Sequence, residues 1–160
     1  MNGRQGFALL LNLSVPANKG TVCLSAKAQK GRQMVNTKRK KYRTMIVEDD
    51  PMAARHLEMM LDQMEEICIS YVIENALMAE AYCCREHIEL ILMDVCTAMN
   101  ASGLEAAVKI KKNFPAVKIL ILTSQLDPEL LRRAREAKIE GFCYKLSDDS
   151  EITAAICTVL

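Results

Sequence analysis

The sequence predicts an α/β fold, a doubly wound five-stranded parallel sheet covered by five helices, and three observations carry that prediction. Five short runs rich in Ile, Leu and Val recur at residues 44–47, 67–73, 90–93, 118–122 and 141–144. Amphipathic segments with helix start signals separate them. The runs also lack the strict alternation of a half-solvated strand, as expected for strands buried on both faces of a parallel sheet. Right-handed crossovers would then lay helices on both faces.

Each element has its own local reason. After the first run, Pro51 is preorganised for a first helical position and Asp50 is its cap; Ala53, Leu57, Met60, Leu61 and Met64 fall on one face of that helix. Asn75 caps the helix after the second run. Ser102-x-x-Glu105 is a capping box that opens the third helix, where Leu104, Ala107 and Val108 point one way and Lys109, Lys111 and Lys112 face water. Asp127-Pro128 caps and opens the fourth helix. Ser147 or an adjacent Asp starts the fifth, which reaches Leu160.

The 160 residues carry net charge +1, 51% apolar residues and no Trp, which excludes collagen-like, coiled-coil and wholly disordered classes. No run approaches the roughly 18 apolar residues of a membrane span. Charge divides the chain in two. Residues 1–43 hold ten bases, ending in Lys38-Arg39-Lys40-Lys41 and Arg43, and no acid. Residues 44–160 hold the other 11 of the 21 bases and all 20 acids, a net of −9. The first part reads as a flexible, disordered basic leader and the second as the folded domain.

Three further readings of the leader stay open. Its bases could contact nucleic acid or an anionic surface, Arg4 with the apolar stretch at 7–13 loosely imitates a secretory signal, and Met34 could be the true start. Seven cysteines, at 23, 68, 83, 84, 96, 143 and 157, form no Cys-x-x-Cys, and neither His56 nor His87 stands at a zinc-finger spacing from a Cys pair. Reduced, buried thiols and a cytoplasmic location are the expectation. The two histidines read as surface or boundary residues.

In such a sheet the reactive crevice lies beyond the carboxyl ends of the strands. The first strand ends in Glu48-Asp49-Asp50, the third in Asp94, the fourth in Thr123-Ser124 and the fifth in Lys145. Clustered carboxylates repel one another and need protons or a cation, and a hard divalent ion such as Mg²⁺ suits oxygen donors. Lys and a Thr hydroxyl can neutralise and bond phosphoryl oxygens, and an Asp carboxylate can accept a phosphoryl group. Singly, Asp50 reads as a cap, Asp94 as a turn residue, Thr123 as a strand end and Lys145 as a surface base. Their conjunction at the strand ends carries the functional reading.

The wording Met45-Ile-Val-Glu-Asp-Asp-Pro51, Leu90-Ile-Leu-Met-Asp94, Ile119-Leu-Ile-Leu-Thr123-Ser124 and Gly141-Phe-Cys-Tyr-Lys145 resembles the receiver domain of bacterial two-component response regulators, a flavodoxin-like fold, across 44–160. The resemblance implies that Asp94 accepts a phosphoryl group from a sensor histidine kinase. It further implies Asp49 as a direct Mg²⁺ ligand, Glu48 as a ligand through water and the Cys96 backbone carbonyl as a third contact. Thr123 and Lys145 would hold the phosphoryl group, and small Ser124 leaves room for its access. Thr123 and Phe142, the latter rotating inward, would form the switch. Output would pass through the face of helix four, strand five and helix five, possible also as a homodimer contact, with Arg132, Arg133 and Arg135 as candidates.

Several features depart from the family pattern. The usual Met-Pro after the phosphoacceptor is absent, and the stretch from Asp94 to Gly103 is one residue longer than the common loop. Leu146 stands where Pro is frequent, as in the subgroup whose receivers precede a helix-turn-helix DNA-binding domain. DNA would be reached only through such an effector domain, absent from this chain, and no membrane contact is implied. Two alternatives remain: a Mg²⁺-dependent phosphatase or phosphotransferase with an Asp nucleophile, which would want a second Asp where Cys96 stands, and a receiver-like module that binds partners without phosphorylation.

Overall fold

A computed structural model describes residues 41–124 and 127–160. The expectations for residues 1–40, Cys23 among them, lie outside that range. The chain runs β1 (Tyr42–Val47), α1 (Pro51–Leu61), β2 (Ile67–Ile73), a 3₁₀ turn (Ala76–Met78) leading into α2 (Ala79–Arg85), β3 (Leu90–Asp94), α3 (Gly103–Asn113), β4 (Lys118–Thr123), α4 (Pro128–Glu136), β5 (Gly141–Tyr144) and α5 (Asp149–Val159). The five strands form one parallel sheet, as the sequence predicts, and their order is β2-β1-β3-β4-β5. The first strand begins two residues before the expected start, so Tyr42 and Arg43, read as leader, pair with Ile67 and Cys68.

Alternating side chains divide the core into two layers. Met45, Val47, Ile91, Met93, Ile119, Ile121 and Phe142 pack on one face with Ala79 and Cys83 of α2, Leu104, Ala107 and Ile110 of α3 and Ala134 of α4. Ile46, Leu90, Leu92, Leu120, Leu122 and Cys143 pack on the other with Leu57, Met60 and Leu61 of α1 and Ile152, Ala155, Ile156 and Val159 of α5. Each fully buried Leu or Ile contributes about 1.5–3 kcal/mol. The central strands are buried apart from their first residues, Tyr42, Arg43 and Lys118, but β2 is an edge strand: Cys68 and Val72 are exposed and most of its other residues only half-buried, correcting the expectation for that run.

The predicted caps form, except that Asn75 caps the 3₁₀ turn while α2 itself starts after Met78 without a side-chain cap. Asp50, Asn75, Asp127 and Asp148 each accept a backbone N–H from the first turn that follows, and Ser102 accepts from Glu105 at 3.3 Å. In α1 the buried stripe is Ala54, Leu57, Met60 and Leu61; Ala53 sits at its margin and is only half-buried.

In α3, Lys111 corrects the expectation that it faces water. Its side chain is buried, and its ammonium donates to the carbonyls of Pro115 and Val117 at 3.0 and 2.8 Å and to Glu140 at 2.7 Å. Of the described cysteines, all free, only Cys83 and Cys143 are buried; Cys68, Cys84, Cys96 and Cys157 are exposed, contrary to the expectation of buried thiols. Burial pushes the Cys83 thiol up to about 11. His56 and His87 both lie with largely exposed side chains.

Candidate functional site

The two central strands set the floor of the site. β1 and β3 are adjacent and in register, with Val47 beside Met93, so the residues that follow, Glu48 and Asp94, stand at the same level at the carboxyl edge of the sheet. Glu48 is held by its own N–H, which donates to the Ile73 carbonyl at 2.9 Å, and its side chain is 1% exposed. Asp94 is buried beside it, and Asp49, next along the chain, is exposed. Ligand oxygens of Glu48, Asp49 and Asp94 all lie within 4.8 Å of one another.

Lys145 reaches this group from the end of β5. Its N–H donates to the Thr123 carbonyl at 2.9 Å, which fixes the loop to the end of β4. Its ammonium donates to Glu48 Oε1 at 2.9 Å and lies 2.9 Å from Asp94 Oδ2. Burial alone would push its pKa down, but the hydrogen bonds to Glu48 and Asp94 and their charges outweigh it and raise it above the ordinary value. Glu48 is raised as well, first by burial and then by the charge of Asp94, against the opposing hydrogen bond from Lys145.

Three ionised carboxylates and one ammonium leave two negative charges in excess. Glu48 is buried, and the single Lys145 ammonium serves both of its oxygens, at 2.9 and 2.7 Å, as well as Asp94. A hard cation would offset the remaining charge excess, and carboxylate oxygens are the donors it prefers. The residues present therefore fit Mg²⁺.

The structure brings Glu48, Asp49, Asp94 and Lys145 together and places buried Thr123 at the end of β4 beside them, its carbonyl bonded to Lys145. Ser124, just beyond, is exposed. Cys96 follows Asp94 in a small hairpin, Cys96–Thr97 against Ala101–Ser102, that the sequence does not announce. Met99 and Asn100 turn it with φ of 63° and 56°, a left-handed conformation that costs non-glycine residues energy. Gly103 closes the hairpin: its N–H donates to Val95 O at 2.8 Å, and a Cβ there would lie 1.7 Å from the Asp94 carbonyl.

Phe142 is buried in the core, 2% exposed, so an inward rotation has no outward starting point in this structure. On α4, Arg132 is paired with Glu129 and Glu136 of its own helix, Arg133 lies 3.9 Å from Glu105, and Arg135 is exposed.

A five-stranded parallel α/β sheet with carboxylates at the strand ends and a lysine closing over them defines an acidic site on a flavodoxin-like scaffold. Residues 44–157 match the response regulator receiver domain family, and the chain belongs to it. It is 27% identical over 115 residues to the oxygen regulatory protein NreC of Staphylococcus epidermidis, covering 72% of this chain and 53% of that one. It is 34% identical to the response regulator protein VraR of Staphylococcus aureus over 68 residues, 42% of this chain and 32% of the relative. The chain thus spans about half the length, or less, of these curated relatives.

Among solved structures, the isolated receiver domain of RcsB from Salmonella enterica serovar Typhimurium aligns with TM-score 0.67 and 19% identity, over 74% of this chain and 87% of that one. A CheY-like receiver from Methanospirillum hungatei aligns with TM-score 0.67 and 20% identity, over 74% and 92%. A two-component response regulator of the LuxR family from Aurantimonas gives TM-score 0.69 and 23% identity, over 75% and 85%. Among the described residues no helix is long and apolar enough to cross a membrane.

Proposed function

We propose that this receiver accepts a phosphoryl group on Asp94 from a sensor histidine kinase in a Mg²⁺-dependent reaction and thereby switches an interaction surface. The observation that carries the proposal is buried Glu48 and Asp94 bridged by the half-buried Lys145 ammonium, with exposed Asp49 within reach and more carboxylates than one ammonium can neutralise.

Glu48, Asp49 and Asp94, with the Cys96 carbonyl, would hold the ion. When bound, it screens the negative charge that gathers as a phosphoryl group approaches a carboxylate. Asp94 supplies the attacking oxygen: its bond to phosphorus forms as the bond from phosphorus to the phosphohistidine nitrogen breaks, and the donor imidazole takes a proton. Lys145 already touches Asp94 and would transfer its contact to the phosphoryl oxygens, while Thr123 supplies a hydroxyl from β4. Lys145 leads into α5, and Thr123 into the segment before α4, so the added charge is felt where those helices begin.

The α4–β5–α5 face is our candidate for the surface that changes, including a homodimer contact. Phe142 starts buried, so its part in the switch would be repacking within the core. Control of transcription, in the cytoplasm, would pass through a DNA-binding segment of the intact regulator outside the matched region. Intact-mass spectrometry of the chain incubated with Mg²⁺ and acetyl phosphate tests the central step. A single phosphoryl adduct, labile in base, is expected in the wild type and absent in Asp94→Asn. Labelling of the mutant at the wild-type level would overturn the assignment of Asp94.

A further inference from the structure

The hairpin after the phosphoacceptor is stitched to the neighbouring β2–α2 loop, and a buried threonine sits at the stitch. Thr97 Oγ1 donates to the Ala101 carbonyl at 3.0 Å, across the hairpin, and accepts the Ala76 N–H at 3.0 Å, from the 3₁₀ turn before α2. Its residue is 4% exposed, so both bonds are made away from water. Beside it the Ala98 N–H donates to the Glu74 carbonyl at 3.0 Å, and the Asn75 amide contacts Met99 Sδ at 3.4 Å.

These ties hold a hairpin whose own backbone resists its shape, with Met99 and Asn100 both left-handed. Only Val95 and Cys96 separate Asp94 from Thr97. Fixing Thr97 from two sides therefore fixes the course of the chain through Cys96, the residue whose carbonyl the proposed function assigns to the ion.

We infer that Thr97 is a positioning residue for the cation site: its hydroxyl locks the hairpin against the β2–α2 loop and so presents the Cys96 backbone at the correct height beside Asp94. This rests on the proposed function for the identity of the ion. It also gives the Ala98 N–H a use, since a proline at that position would have no hydrogen to donate to Glu74.

The test is isothermal titration of the full chain with Mg²⁺, in the wild type, Thr97→Val and Thr97→Ser. Valine keeps the shape and loses both hydroxyl bonds, so the dissociation constant should rise about tenfold, the size expected when buried partners are left unpaired. Serine restores the hydroxyl without the methyl and should return the wild-type affinity, a rescue that loss of methyl packing would not produce. Wild-type affinity in Thr97→Val, or a Thr97→Ser variant as weak as Thr97→Val, overturns the inference.

Should Thr97→Val fail to fold, Thr97→Ala takes its place, since it loses the same two hydroxyl bonds without adding a methyl group. Weakened Mg²⁺ binding in that variant, restored in Thr97→Ser, supports the lock, and unchanged binding overturns it. A wild type that binds no Mg²⁺ overturns the cation site itself, whereas wild-type binding with an indifferent Thr97→Val overturns the lock alone.

Discussion

Glu48 shows how one side chain can work against the fold that holds it. It is raised above the ordinary glutamate value by burial and by Asp94, so the folded chain holds its proton more tightly than the unfolded chain does. Stability then falls as pH rises from the ordinary value, near 4.5, through the raised one, because ionisation is harder in the fold. Lys145 stabilises the fold instead, and in a different window: raised from 10.5, its contribution is intact below that value and is lost as pH rises from there through the folded pKa. Glu48→Gln, without Mg²⁺, is therefore expected to gain stability over the wild type between pH 4 and pH 7, and urea denaturation at both ends checks it. A constant difference would show that Glu48 titrates normally. These residues were legible in the sequence because they follow apolar runs at strand ends. Thr97 was not, since its partner Ala76 lies 21 residues away and nothing in the wording of either segment announces the contact.

At the scale of elements, helix starts were legible because caps and prolines act within four residues of themselves. Faces and ends were less so. A helical period fixes which residues share a stripe, but the packing partner chooses the stripe's centre, and α1 centred on Ala54 instead of Ala53. The edge position of β2 was hidden too, because an apolar run reads alike at the centre and at the rim of a sheet. Lys111 is the sharpest case. Three lysines near the end of α3 look equivalent in sequence, yet only Lys111 reaches the Pro115 and Val117 carbonyls and Glu140, which also accepts the Ile119 N–H at 3.0 Å. It thus ties the end of α3 to the start of β4 and the approach to β5. Lys111→Met is expected to cost about 2–4 kcal/mol, since it strands two carbonyls and a partly buried carboxylate. Lys109→Ala, which removes an exposed ammonium from Glu80 and leaves that carboxylate its Asn113 hydrogen bond, should cost less than about 1 kcal/mol. Denaturation midpoints of the two variants distinguish them, and equal costs would contradict the buried clamp.

The whole molecule joins these scales through the sheet. The carboxylates belong to the ends of β1 and β3, the two strands at its centre, and the residues beneath them, Val47 and Met93, are fully inside the core. The site cannot be assembled without the sheet, and the sheet cannot open without separating the site. Any ion that binds the assembled carboxylates must therefore stabilise the entire fold, by about 2.7 kcal/mol at a hundredfold excess over its dissociation constant. In EDTA the same carboxylates repel one another, so the unliganded fold carries a cost that Asp49→Ala partly relieves. Two opposite effects of one substitution follow: Asp49→Ala should match or exceed the wild type in EDTA and fall behind it in saturating Mg²⁺. Urea denaturation of both chains in the two buffers reads the crossing directly. If the curves of the two proteins shift equally with Mg²⁺, Asp49 is no ligand. If neither shifts, the acidic edge binds no cation, and phosphoryl transfer at Asp94 would have to proceed on Lys145 alone.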